Sequence, residues 1–321
     1  MNEQLKNEIL VSIRKNKQIT RADLAKRFRI SLSLATQLVA DLIKRDLIIE
    51  LGKAQSSNGR PARMLALNPN AAYAIGIDIS NQRQVAIVSN INGDVVTRLV
   101  EPIISTNDRR LIIKRIQDLV ERSIQQANLS PSSIAGVGLA LWDTVDPVLK
   151  IAYGFSDIPG WSTAWSNFHI GEELEGLFPF PHLIVDDVVR MQAVAEAQYN
   201  NAVGPNFLYI LADIGIGMAI MIDGEPYLGD SHIAGEIAHI TVCPSVELCD
   251  CGNTGCLHLQ TSIPSILSCL RKRLSESSIR TSLRQDPEAL TIEQVLSAAG
   301  QGDKLSIQVL TEAGETLGRG L

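Results

Sequence analysis

The chain has 321 residues, an apolar fraction of 45% and a formal net charge of −6, a length that accommodates two or three domains. No run nears the roughly 18 consecutive apolar residues of a membrane-spanning helix, and the opening Met1-Asn2-Glu3-Gln4 has no leader character. Together with five cysteines in no disulfide-type framework, these features argue against a membrane or secreted protein and predict a cytoplasmic one.

Charge is unevenly spread. Residues 1–67 hold 13 Lys and Arg against 6 Asp and Glu, whereas the remainder holds 16 against 29. A basic head on an acidic body points to a nucleic-acid module joined to something else, a solvated basic face being the plainer alternative. Leu5, Ile9 and Ile13 recur at helical spacing and predict a first helix. Thr20, with Asp23 three residues on, predicts the cap of a second helix running to about residue 28. Arg29-Ile30-Ser31 reads as a turn, and Ser31 as the cap of a third helix with Ala35, Leu38, Val39 and Leu42 facing inward. Ser33, Thr36, Gln37 and Lys44 are left on its other side.

Small polar residues near the start of a third helix suit a DNA major groove. Gln37 offers a bidentate contact to adenine, Ser33 and Thr36 reach bases or phosphates, and Lys26 and Arg27, at the end of the second helix, sit beside the backbone. Strands over 47–51 and 64–67 flank a polar loop containing Gly59-Arg60-Pro61. Three helices followed by strand, loop and strand predict a winged helix-turn-helix over residues 1–70, with double-stranded DNA as its partner. Arg60 or Arg63 would enter a minor groove from the wing; an arginine facing water is the alternative.

From residue 73 the pattern changes to strands and tight turns. Strands are predicted over 74–78, 84–89 and 95–101, the last two joined through Asn92-Gly93. A helix over 108–127, a strand over 134–141, a short strand over 183–185 and a helix over 189–199 follow. A second hairpin set spans 206–212, 217–222 and 225–228. Two three-stranded meanders, each feeding helices, predict a duplicated two-lobed α/β body with lobes at 71–190 and 191–321.

Within the second lobe, His239 is followed ten residues later by Cys249-Asp250-Cys251-Gly252-Asn253-Thr254-Gly255-Cys256. One imidazole and three thiols among turn-forming residues are the donor set of a tetrahedral zinc site, and four protein ligands make that zinc structural rather than catalytic. Cys243 and Cys269 are left over and read as small buried residues. Together with the preceding Ala234-Gly235-Glu236-Ile237-Ala238-His239, this stretch resembles the signature of the ROK family of sugar-responsive repressors, open reading frames and sugar kinases.

The resemblance implies a two-lobed actin-like (ribonuclease H-like) ATPase fold behind the winged helix, with ligand in the cleft between the lobes. It implies that Glu236 and His239 contact sugar hydroxyls and that His258 stands where the family usually has Glu. Asp186-Asp187 stands at the family's Asn-Asp pair, which would make Asp187 the vestigial base position; one of the two capping the next helix is an equal reading. Trp142-Asp143 replaces a Pro-Gly turn. The ligand is then either a changed sugar, modified or anionic, or none at all.

The kinase phosphate loops, Asp-x-Gly-Gly-Thr and Gly-Thr-Gly-x-Gly in the family, read here as Asp78-Ile79-Ser80-Asn81-Gln82 and Asp213-Ile214-Gly215-Ile216-Gly217. Their degradation implies that the protein is not an enzyme. The helix that includes Ala313–Leu321 leads into further strands in the family, so the second lobe is expected to be incomplete. The resulting expectation is a homo-oligomeric, dimeric or tetrameric, transcriptional repressor controlled by a sugar or sugar derivative. An ATP-dependent sugar kinase and a regulator sensing a protein partner are the alternatives.

Overall fold

A computed structural model of the chain describes residues 2–16, 18–53, 63–79, 83–102, 108–154, 165–200, 202–244, 247–249, 251–276, 281–284 and 289–321. The chain divides into two compact units, one formed by Met1–Ile103, Arg110–Leu139 and Glu173–Ile184, the other by Ile104–Arg109, Ala140–Glu172 and Val185–Leu321.

The first unit begins with helices α1 (Asn2–Asn16), α2 (Arg21–Arg27) and α3 (Leu32–Lys44), then strands β1 (Ile48–Lys53) and β2 (Arg63–Leu67). Local chemistry sets these helix starts. Thr20 accepts from the Asp23 amide while the Asp23 carboxylate accepts from the Thr20 amide, a reciprocal cap on α2. Ser31 accepts from the Leu34 amide at 3.1 Å and caps α3. Between them Arg29 takes a left-handed conformation (φ 53) that turns the chain. β1 and β2 pair antiparallel, and Ile19 bonds to Leu65 through both its amide and its carbonyl, extending that sheet. Ile9, Ile13, Leu24, Leu38, Val39, Leu42, Ile48 and Leu65 form the buried core between helices and sheet.

A five-stranded sheet follows in the order β5-β4-β3-β6-β9, from β3 (Tyr73–Ile79), β4 (Arg83–Asn90), β5 (Val95–Pro102), β6 (Ile134–Leu141) and β9 (His182–Asp187). β3, β4 and β5 form an antiparallel meander, and its second turn places Gly93 at φ 87 as the Asn-Gly pair requires. Helix α4 (Arg109–Gln126) buries Ile112, Ile116, Leu119, Val120 and Ile124 along one stripe.

The second unit contains a small hairpin, β7 (Val145–Asp146) with β8 (Ile151–Ala152), and the start of the short helix α5 (Ile170–Leu174). Helix α6 (Val188–Tyr199) packs Ala193 against Ala219 and Met221 of a three-stranded sheet, β10 (Phe207–Ala212), β11 (Ile216–Ile222) and β12 (Glu225–Pro226). After the cysteine-rich loop come α7 (His258–Thr261), α8 (Ile263–Glu276), α9 (Ile292–Gly300) and α10 (Lys304–Gly320). α8, α9 and α10 share a core of Leu270, Leu274, Val295, Leu305 and Val309. Cys269 packs against that core, which fits its expected apolar role.

Candidate functional site

Two places collect the expected site residues: the exposed side of α2 and α3, and a cavity in the second unit beside a cysteine cluster.

Lys26, Arg27, Ser33, Thr36, Gln37 and Lys44 are all exposed. The Thr36 hydroxyl donates to the Leu32 carbonyl at 2.7 Å, which fixes its rotamer. Three acids of this region, Glu3, Asp41 and Glu50, are taken up by other cations. Lys6 and Arg45 pair with both Glu3 and Asp41, and Arg21 and Arg63 both pair with Glu50. Arg63 is therefore tied to β1 through Glu50. Lys26, Arg27 and Lys44 form no ion pair among the described residues. Arg60 lies outside the described residues.

The cysteine cluster is built by a short antiparallel ladder. Val242 donates to Gly255 and Leu257 to Ile240, which brings His239 beside Cys256. Gly255 sits at φ 68, where a Cβ would lie 2.0 Å from the Cys243 carbonyl oxygen, so only glycine allows this approach. The donor atoms of His239, Cys249, Cys251 and Cys256 all lie within 4.8 Å of one another. The Cys251 and Cys256 sulfurs are 3.6 Å apart, and Cys249 Sγ is 3.4 Å from His239 Nδ1. Ligand bonds of about 2.3 Å to sulfur and about 2.0 Å to nitrogen in a tetrahedron give edges of roughly 3.4–3.8 Å. The donor set therefore fits a metal ion. Burial pushes the Cys256 thiol up to about 12, whereas the Asn253 amide first and its sulfur neighbours next draw Cys251 down to about 7. His258 also reaches this cluster, with Nε2 3.2 Å from Cys249 Sγ.

Next to the cluster lies a cavity of about 350 Å³ whose wall includes Trp142, Asp187, Arg190, Glu236, His239 and His258, at the small end of the range for ligand cavities. Glu236 is delivered by a loop that turns at Gly235 (φ 101), where a Cβ would meet the Met218 carbonyl oxygen at 2.0 Å. Thr144 donates to the Glu236 carboxylate, yet burial wins and raises it above the usual carboxylate range. Asp187 caps α6 by accepting from the Arg190 amide at 2.8 Å.

Arg190, which the sequence reading did not single out, organises this end of the cavity. Its side chain is 2% exposed. Nε lies 2.7 Å from both Asp186 and Asp187, Nη2 donates to the Val145 carbonyl at 2.6 Å, and Nη1 donates to the His232 carbonyl at 3.3 Å. His232 in turn bonds Asp146 at 3.0 Å. Asp187 is raised by burial to about 7 against the pull of Arg190, and burial likewise raises Asp186. Asp186, expected to contact ligand, is absent from the described cavity wall and faces Arg190 instead. The signal that would have revealed Arg190 is local: acids three and four residues ahead of an arginine at a helix start.

The sequence model of the ROK family matches residues 74–321. A xylose repressor from Caldicellulosiruptor bescii is 25% identical over 98% of this chain and 77% of its own length. A glucokinase from Halalkalibacterium halodurans is 27% identical over 77% of this chain and 74% of its own. Among solved structures, a ROK family transcriptional regulator described as a homologue of the E. coli Mlc protein superposes with a TM-score of 0.80 and 24% identity, covering 99% of this chain and 79% of that one; this is a likeness of fold.

Proposed function

The chain belongs to the ROK family, and from that premise we propose that it is a transcriptional regulator, a repressor whose grip on DNA is controlled by a sugar or sugar derivative. On this reading residues 1–70 are a winged helix-turn-helix and residues 71–190 and 191–321 are the two lobes of the ROK body. α3 enters the major groove with Ser33, Thr36 and Gln37, while Lys26, Arg27 and Lys44 hold phosphates, and Arg60 serves the wing. The observation that carries the reading is the division of charge in the head: Glu3, Asp41 and Glu50 pair with Lys6, Arg21, Arg45 and Arg63, while Lys26, Arg27 and Lys44 stay exposed and form no ion pair among the described residues. The similarity to the xylose repressor spans 98% of the chain, whereas that to the glucokinase spans 77%. That difference matches a DNA-reading segment added to a shared body.

His239, Cys249, Cys251 and Cys256 would hold zinc as a structural ion, which supplies no reaction chemistry and braces the loop that bears Glu236, His239 and His258. The sugar sits against Glu236, His239, His258 and Asp187. No catalytic step is assigned: the carboxylate that would act as base, Asp187, is bound by its own helix and by Arg190. Linkage requires that a sugar which weakens DNA binding is itself bound more weakly by the DNA complex, by the same factor. The protein acts as a homodimer or tetramer on paired half-sites.

Selection of bound duplexes from a random pool tests this directly, repeated with and without D-xylose and D-glucose. The expected result is an enriched two-half-site sequence whose binding responds to a sugar. Failure to retain any duplex at low ionic strength, or release of ADP when ATP and a hexose are supplied, overturns the reading.

A further inference from the structure

The cavity has a second side that sugar recognition leaves unexplained. Its polar groups come from Asp143 and Thr144 after β6, the start of α6, the loop around Glu236 and His239, and His258. Another part of its wall comes from β10, β11 and their turn and from the α7–α8 junction, and there it presents Leu211, Ile214, Met218, Leu259 and Pro264. Asp213, which the sequence places in the degraded phosphate loop, is not among the described wall residues; Ile214 and Gly215 take that place.

This second side is poorly suited to a phosphate for three independent reasons. The first turn of α8 contributes Pro264 and Ser265 to the wall, but the Ile263 amide is taken by the Asp213 carbonyl at 2.8 Å and Pro264 has no amide to give. The Ser262 and Ser265 hydroxyls bond each other at 2.9 Å, and Ser265 also bonds the His258 carbonyl. Arg190 is the single Lys or Arg among the described residues of the wall, and two carboxylates and two carbonyls already occupy it. Asp187 and Glu236 meanwhile make the local field neutral to negative.

We propose that the ligand of this cavity is an uncharged glycoside, a sugar whose hydroxyls meet Glu236, His239 and His258 and whose aryl or alkyl aglycone lies on Leu211, Ile214, Met218, Leu259 and Pro264, with phosphorylated sugars excluded. The proposal rests on the regulator reading above and narrows its ligand class. Apolar residues fill the place where a charged group would need donors, and an apolar substituent gains affinity there by leaving water.

Titration calorimetry on the full chain with its zinc tests the proposal with D-glucose and D-xylose, each as the free sugar and the phenyl β-glycoside, together with D-glucose 6-phosphate. The phenyl glycoside of at least one sugar should bind about tenfold or more tightly than its parent, and the phosphate ester should show no heat of binding. Leu259→Ser should shrink the phenyl increment; if that variant does not fold by circular dichroism, Ile214→Ser provides the same measurement. Equal affinity for free sugar and phenyl glycoside, or tighter binding of the phosphate ester, overturns this proposal and leaves the sugar-sensing reading standing. Absence of binding by every sugar in every form overturns both.

Discussion

In the basic head, cations outnumber acids and three of them lie exposed on α2 and α3; among the described residues of the cavity wall, the one Lys or Arg is enclosed by two acids and two carbonyls. Lys26, Arg27 and Lys44 are exposed, whereas Arg190 is 2% exposed and fully engaged. The same charge type thus has two physical roles. A mobile, hydrated cation releases counterions from a polyanion and binds without demanding exact geometry. A desolvated one is fixed by its partners, and its removal strands the charges around it.

The largest expected effect tests whether the two regions are separable. Stripping the metal with a chelator, or replacing Cys249 by Ser, should lower the melting temperature by roughly 10 °C, the scale of withdrawing several kcal/mol of metal-binding energy. Duplex binding by the head at low salt should persist. A metal assay that finds no zinc in the native protein would remove the brace from the argument.

Next in size is Arg190→Met, which leaves Asp186 and Asp187 buried without their cation. Urea denaturation should show a loss of about 3–5 kcal/mol. A variant as stable as the native chain would mean that the cavity does not depend on this pairing, and the contrast with the head would fail.

A smaller effect reads the balance at Asp187. Burial raises its pKa from 3.8 to about 7 although Arg190 pulls the other way. The folded state therefore holds this proton more tightly than the unfolded chain. Its contribution to stability is fully present below 3.8 and is lost as pH rises to about 7. Asp187→Asn removes that dependence, so the variant should gain on the native chain as pH climbs through this window. A relative loss over the same range would show that the Arg190 contact outweighs burial.

The smallest effects sharpen the head. Lys26→Ala should weaken binding to all duplexes alike and reduce the slope of log affinity against log salt by about one. Gln37→Ala should relax preference at one operator position and leave the slope unchanged. If the two substitutions behave alike, α3 does not read bases as assigned.

Legibility followed the range of the interactions. Thr20 with Asp23 and Ser31 with Leu34 act within one turn, so the starts of α2 and α3 were visible in sequence. The metal cluster lies within 18 residues and was equally plain. Arg190 has a local signal in Asp186 and Asp187, but its burial depends on Val145 and His232, more than 40 positions away, and an arginine on a helix reads as solvent-facing until the fold closes over it. α8 and α9 were also unassigned, although Thr291 and Gln294 form a reciprocal cap and Ile266, Leu270 and Leu274 recur at helical spacing. The expected strand over 225–228 reduces to Glu225–Pro226, although the Tyr227 amide still donates to the Ile220 carbonyl of β11 at 2.7 Å.

Pro264 makes the cavity's selectivity asymmetric under mutation. A single substitution at this position would add an amide to the first turn of α8 and so open a route toward anionic ligands. Restoring a full cradle would also demand new donors in place of Ile214 and relief from Asp187 and Glu236. On the glycoside reading, ligand drift would be easiest among neutral molecules that differ in their apolar half, through changes of size at wall positions such as Leu211 and Leu259.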